Sequence, residues 1–263
     1  MAMAVVHGTV SLDASLGRLF TVVGVFDGLH RGHEYLLREL RRVAAEHGAR
    51  PAVITFDHHP DEILKGAAPP LLCDPEERIE RLAEAGVEVT VIETFDRALR
   101  ETPYDAWVRR IAEQVELAGF LMTPESAFGY ERRGTPDTVA ALGSELGYAV
   151  KVVPSFELDG AAVTSSAIRA AIQAGDLATA ERLLGRPYSV VGAARSEGRE
   201  ASVEFSMPVA LPPAGTYAVR VATDEDPGAA GVRTGTAVVE GGRVRLQPLP
   251  TQQDSRTRLT FSG

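Results

Sequence analysis

Between Leu19 and Pro154 short apolar runs alternate with amphipathic stretches, and that alternation leaves few folds open. Leu19–Val25 and Pro51–Phe56 read as buried strands, and Glu34–Glu46 between them as a helix with Leu36, Leu37, Leu40 and Val43 on one side. A second helix opens at Asp74, a suitable N-cap, with Pro75 at the first helical position and Glu77 at capping-box spacing, and Gly86 closes it. Val87–Ile92 follows as a strand, Tyr104–Ala118 as a helix stopped by Gly119, Thr138–Leu146 as a helix stopped by Gly147, and Tyr148–Val153 as a strand. Consecutive strands joined through helices run parallel. The expected fold is therefore α/β, a mostly parallel sheet covered on both faces, with ligands beyond the carboxyl ends of its strands.

Ser165–Ala174 and Asp176–Leu184 read as two short helices separated by Gly175. After Tyr188 the chain turns rich in Val, Gly, Thr and Pro, and Tyr217–Val221, Thr236–Val239 and Arg243–Leu246 alternate as strands do, so a small all-β region is expected. The boundary falls near Arg186, giving domains 1–186 and 187–263, and the polar stretch Gln252–Gly263 is expected to fray.

A net charge of −9 argues against a general nucleic-acid or anionic-membrane surface. The single cysteine, Cys73, excludes an intramolecular disulfide and a cysteine-based zinc site. No signal-peptide pattern and no apolar run of bilayer length is present, so a cytoplasmic protein is the simplest expectation.

The segment Gly24-Val-Phe-Asp-Gly-Leu-His-Arg-Gly-His33 reads as strand end, tight turn and helix start. A helix N-terminus exposes unpaired N–H groups that favour a bound phosphate. Gly28 and Gly32 let the backbone approach a ligand, and His30 and His33, spaced to share one helix face, add donors. The plainer alternative is a glycine turn with two solvated histidines. Asp27 either holds the turn or orients a histidine.

A second such stretch is Thr164-Ser-Ser-Ala-Ile-Arg169, where Ser165 and Ser166 suit an N-cap and Arg169 lies one turn on. Hydroxyls, N–H groups and a guanidinium make a phosphate clamp, although a serine cap with a solvated arginine is common. In Phe56-Asp-His-His-Pro60 the adjacent His58 and His59 point opposite ways on an extended chain, so no protein-held metal is expected there.

Together these stretches resemble the nucleotidyltransferase superfamily, where an H-x-G-H near the start pairs with an I-S-S-T-x-x-R-like motif near the end. Gly24 to Leu37 is similar to the G-x-F-D-G-x-H-x-G-H-x-x-L-L signature of prokaryotic FAD synthetases, the bifunctional riboflavin kinase/FMN adenylyltransferases. Val53-Ile-Thr-Phe-Asp-His-His-Pro60, Asp159-Gly160, Val163–Arg169, Gly175-Asp176 and Leu184-Gly-Arg-Pro-Tyr188 fit the same family in order. The resemblance implies a Rossmann-like nucleotidyltransferase domain, followed by a degenerate riboflavin-kinase-like barrel. It implies FMN and ATP as substrates, with Mg²⁺ accompanying ATP. His30, His33 and Arg169 would be catalytic. Gly24, Phe26, Asp27, Gly28, Gly32, Ser165 and Ser166 would shape the ATP site, and Phe56, Asp57, His59, Pro60, Glu125, Phe128 and Gly129 the flavin or acceptor site.

Two departures stand out. The family's middle loop, G-x-(D/N)-F-x-F-G-x-x-x-x-G-D, matches Thr123–Thr135 with Glu125, Ser126 and Thr135 in place of Asp/Asn, an aromatic and Asp. The kinase string G-F-P-T-A-N is missing after Tyr188, where Gly198–Pro208 stands instead, although Pro213-Ala-Gly-Thr-Tyr-Ala-Val219 resembles a kinase strand. A shortened β-barrel remnant without kinase activity is the resulting expectation. The alternatives are a nucleotidyltransferase with another phosphate acceptor and a non-catalytic flavin- or nucleotide-binding paralogue. Oligomeric state is not readable from the sequence.

Overall fold

The computed structural model describes residues 2–197, 200–223, 232–247 and 255–262. Along the chain run β1 (Ala4–His7), β2 (Arg18–Val23), α1 (Arg31–Glu46), β3 (Arg50–Phe56), α2 (Asp61–Lys65), α3 (Pro75–Glu84), β4 (Val89–Glu93), α4 (Arg97–Glu101), α5 (Tyr104–Gln114), β5 (Glu116–Met122), α6 (Pro136–Leu146) and β6 (Ala149–Val152). The short strands β7 (Glu157–Leu158) and β8 (Ala161–Ala162) lead to α7 (Ser165–Gln173) and α8 (Leu177–Leu184). Then come β9 (Ser189–Glu197), β10 (Glu200–Glu204), β11 (Gly215–Thr223), β12 (Arg233–Glu240), β13 (Arg243–Gln247) and β14 (Ser255–Phe261).

The chain groups into two compact units: Met1–Phe26 with Gly32–Pro69 and Ile79–Glu157, and Asp27–Arg31 with Pro70–Arg78 and Leu158–Gly263. Among the described residues no helix is long and apolar enough to cross a membrane.

The first unit holds a six-stranded sheet of order β1-β4-β3-β2-β5-β6, every pair parallel. From β2 the chain steps outward through β3 and β4, then returns to the other side for β5 and β6. The sheet therefore has a topological switch point between β2 and β5, where α/β sheets open a crevice beyond their carboxyl ends. Both faces are covered. Leu19, Ile54 and Val91 pack with Trp107, Val108 and Ile111 of α5 and Val139 and Leu142 of α6. On β2 the next residue, Phe20, points to the opposite face and meets His47 just beyond α1, ring centroids 5.0 Å apart.

The expected helix Tyr104–Ala118 is too long. It ends at Gln114, Val115 is already extended, and Glu116–Met122 is the fifth strand of the parallel set, which like β1 has no counterpart among the expected strands. A strand buried on both faces has no period-2 signal and reads as one apolar run. Gly119 is not a helix stop: a Cβ there would lie 2.3 Å from the Ala149 carbonyl oxygen and 2.6 Å from the Phe20 ring, so only glycine lets β5 and β6 approach.

In the second unit β10-β13-β12-β11-β14-β9 form a closed barrel whose pairs are all antiparallel. Val219, Val221, Ala237, Val239, Val244 and Leu246 alternate inward. Within the stretch expected to fray, Ser255–Phe261 do not: β14 pairs with both β9 and β11, and Thr257, Leu259 and Phe261 are buried, because every second residue faces the barrel interior. Gln252–Asp254 and Gly263 of that stretch lie outside the described residues. Tyr188 stacks on Phe261 at 6.0 Å and donates its hydroxyl to the Ala210 carbonyl.

Candidate active site

The turn after β2 is held by a buried polar knot in the second unit. Asp27 is 3% exposed, and its carboxylate accepts N–H bonds from Leu72 (2.9 Å) and Cys73 (3.3 Å) and from Arg169 Nη2 (2.5 Å). Arg169 also donates Nε to the Pro70 carbonyl at 2.7 Å. The Ser165 hydroxyl donates to the Asp27 carbonyl at 3.2 Å. Residues near the start of the chain and residues of α7 thus meet at one corner. Arg169, 8% exposed, is no solvated arginine; two of its nitrogens are already committed.

Gly28 sits at φ 78°, and a Cβ there would come within 2.8 Å of the Leu72 side chain. Its N–H points at Cys73 Sγ, 3.2 Å away. Burial pushes the Cys73 thiol up to about 12, so it is an acceptor in this turn and not a nucleophile. Phe26 and Leu29 take positive φ as well, 53° and 34°, conformations that cost energy for residues with side chains. Arg186, which the sequence reading gave no individual role, donates to the carbonyls of Leu29 (3.1 Å) and Gly28 (2.6 Å) and fixes the strained turn from outside.

The helix caps differ in detail from expectation. Thr164, not Ser165 or Ser166, is the N-cap of α7, accepting the Ala167 N–H at 3.2 Å. Ser165 and Ser166 occupy the first two helical positions, which leaves the Ser165 hydroxyl for Asp27 and the Ser166 side chain exposed. Asp74 caps α3 as expected, accepting from Glu76 (3.0 Å) and Glu77 (3.3 Å), while the Glu77 carboxylate pairs with Arg258.

His30 directly precedes α1 and is 4% exposed. Burial, then the nearby cations of Arg186 and Arg169, lower its pKa to about 4, so it is neutral at neutral pH. The unfolded chain, with histidine near 6.5, takes up a proton first as pH falls. Stability is therefore lost between about pH 6.5 and 4, by about 3 kcal/mol for a shift of this size. Urea titrations at pH 7 and pH 4.5 should show the wild type losing more stability on acidification than His30→Gln; parallel losses would contradict this. In the first unit, Gly32 and His33 open α1, and the His33 ring packs on Phe26, itself 1% exposed, with centroids 5.0 Å apart.

At the switch point the first unit encloses a cavity of about 670 Å³, a size usual for small-ligand sites. The carboxyl ends of three strands supply Gly24, Phe56 and Met122, and the following loops supply His59, Pro60 and Glu125–Arg132. Of the expected acceptor residues, Phe56, His59, Pro60, Glu125, Phe128 and Gly129 line it. Asp57 does not. Its carboxylate accepts from His58 N (2.7 Å) and Phe95 N (3.2 Å), tying the ends of β3 and β4 together. Against the burial that would raise it, bonds from Thr94, His58 and Phe95 hold Asp57 below the usual carboxylate range. Trp107, Phe95 and Phe120 complete the walls. They belong to elements distant in sequence, and no local pattern marks them.

The three departures in the middle loop have separate explanations. Thr135 is the N-cap of α6 in a reciprocal capping box with Thr138, a role threonine and aspartate share. The Ser126 hydroxyl accepts the Thr123 N–H at 2.9 Å and closes the loop on itself. Glu125 presents a carboxylate to the cavity, one methylene longer than the Asp the family carries there as an alternative to Asn. Its carboxylate accepts from the Ser155 hydroxyl at 2.7 Å, which holds it ionised, below the usual range. Glu131 and Arg132, next on the rim, both sit at positive φ, 52° and 56°.

The chain is 32% identical over 192 residues to a bifunctional riboflavin kinase/FMN adenylyltransferase of Haemophilus influenzae, covering 72% of this chain and 62% of that protein. It is 28% identical over 256 residues to the protein of the same description from Pseudomonas fluorescens, covering 93% and 82%. A solved structure titled as a macrolide-efflux protein from Streptococcus pneumoniae superposes with a TM-score of 0.80 over 98% of this chain and 89% of that one at 20% identity, a likeness of fold alone. The family described as FAD synthetase matches residues 13–167, more than half of the sequence, and the chain belongs to that family.

Proposed function

We propose that this chain is an adenylyltransferase that makes FAD and pyrophosphate from FMN and ATP. The observation that carries the reading is the buried corner: the Ser165 hydroxyl reaches the Asp27 carbonyl across 138 residues of sequence, and the two helix starts that suit phosphate carry the family's two motifs. On this reading the triphosphate lies against the 27–31 turn and the N-terminal turn of α7, both in the second unit. Backbone N–H groups and the Ser166 hydroxyl hold it in the ground state. An oxygen of the FMN phosphate attacks the α-phosphorus in line, the bond to the bridging oxygen breaks, and pyrophosphate leaves with that oxygen. His30 and His33 donate N–H bonds to oxygens that gain charge in the transition state, and no covalent enzyme intermediate is required. Arg169, its Nε and Nη2 committed to Pro70 and Asp27, offers Nη1 to a phosphate oxygen. Asp27 is a positioning residue, holding Arg169 and the 72–73 backbone.

The isoalloxazine ring takes the aromatic cavity of the first unit, between Phe56, Pro60 and Phe128, with Asp57 bracing the wall. Magnesium would supply charge neutralisation when bound. Among the described residues no three imidazole, thiol or carboxylate groups converge to cage a metal, and the Asp27 carboxylate is already occupied. Magnesium commonly binds through substrate phosphates, and on this reading it arrives with ATP.

We also infer that riboflavin kinase activity is lost. Gly198 and Arg199 of the substituted stretch lie outside the described residues. Further along it, Pro208 accepts the Leu71 N–H and Leu71 accepts the Ala210 N–H, both at 2.8 Å, so this backbone serves as a structural clasp. A second reading keeps the chemistry and changes the acceptor, and the longer side chain of Glu125 on the cavity wall favours it. Purified protein with ATP or CTP, against FMN, riboflavin and other phosphate esters, separates the readings. FAD from FMN and ATP, with no FMN formed from riboflavin, is the expected result. Faster pyrophosphate release with another acceptor would favour the second reading, and nucleotide binding without release under any acceptor would leave a non-catalytic paralogue.

A further inference from the structure

Trp107 lines the aromatic cavity and is 4% exposed, yet its indole Nε1 is buried with no hydrogen-bond partner among the described residues. Buried indole N–H groups nearly always find an acceptor, and leaving one unpaired is costly. A phenylalanine would fill a wall position in such a cluster without that cost. The nearest ring contact is Phe128, T-shaped at 5.4 Å, which offers no oxygen or nitrogen. Phe56, Phe95, Phe120 and Phe128 give the cavity flat apolar walls that fit a planar ring system but hold none in place in its own plane.

We propose that Trp107 is a specificity-determining donor for the ring that enters this cavity. Its N–H bonds an acceptor atom, a carbonyl oxygen or an unprotonated ring nitrogen, on the edge of a planar heteroaromatic acceptor substrate. The inference rests on the cavity being the flavin site. A pocket built around a buried donor rejects ring systems without a matching edge acceptor far more strongly than flat walls alone can, because the donor is then left unpaired.

The test is FMN binding by calorimetry to the full-length protein and to Trp107→Phe. The variant should bind FMN about tenfold more weakly, the loss of one hydrogen bond. Its affinity for ATP should be unchanged, and its melting temperature without ligand unchanged or higher. Trp107 is the only tryptophan in the chain. Biosynthetic replacement by 3-benzothienylalanine, with sulfur in place of the N–H, therefore changes one site and keeps the indole shape. It should show the same weakening, and it stands in should Trp107→Phe fold poorly. FMN affinity equal to the wild type in either form overturns the inference alone. No FMN binding by the wild type overturns the cavity reading and the inference with it.

Discussion

Replacing His33 by alanine lowers kcat by about 10²- to 10³-fold on this account, the usual cost of removing one donor aimed at transition-state charge. The KM for ATP should move by no more than about threefold, because backbone N–H groups and hydroxyls bind the phosphates in the ground state. The ring is held by packing against Phe26, at the third position of α1, so it needs no reorganisation to reach its partner. Steady-state kinetics with ATP as the varied substrate makes the distinction. A variant with unchanged kcat and raised KM would make His33 a binding residue, and one equal to the wild type in both would remove it from the chemistry. Circular dichroism and the melting temperature should stay near wild type, since the half-buried ring is no part of the unit's main core.

The second large effect is on stability. Arg169→Met removes the partner of a carboxylate that is 3% exposed, and breaking a buried pair from one side typically costs about 3–5 kcal/mol. Asp27→Asn should cost less, because the amide oxygen can still accept from Leu72 or Cys73. The double variant should be more stable than the two single losses sum to, since neither charge is then left buried alone. Urea unfolding of the four proteins gives the coupling directly. Arg169→Lys should not rescue, because one ammonium cannot reproduce the fork that binds the Pro70 carbonyl and the Asp27 carboxylate together. A loss below about 1 kcal/mol for Arg169→Met would mean the corner is held by something other than this pair.

Local pattern reached some of this architecture and not the rest. The alternation of elements up to Pro154, the Asp74 cap and the inward-facing residues of β11, β12 and β13 follow from periods and caps that operate within a few residues, and the structure contains them. The errors have a common cause. β5 looked like the end of a helix because a strand buried on both faces carries no alternation, and Gly119 looked like a stop because its contact, the Ala149 carbonyl, is 30 residues away. β14 looked like a loose tail because its half-buried alternate residues are polar, while Leu259 and Phe261 find their neighbours only when the barrel closes. At the candidate site local motifs marked the stretches, but partners distant in sequence set their contacts. Asp27 could not be read as the hub of Leu72, Cys73 and Arg169 from its own neighbours, and Trp107 entered the cavity wall from a helix that carries no motif.

The central claim is that one triphosphate is held by the 27–31 turn and the start of α7 while a flavin phosphate displaces its pyrophosphate. Incubating the purified protein with FMN and ATP labelled at the α-phosphorus, and following label and pyrophosphate together, tests it most directly. The account predicts label in FAD, one pyrophosphate per FAD, and loss of both in His33→Ala. Label that stays in ATP, or that leaves as ADP with no pyrophosphate, would contradict it.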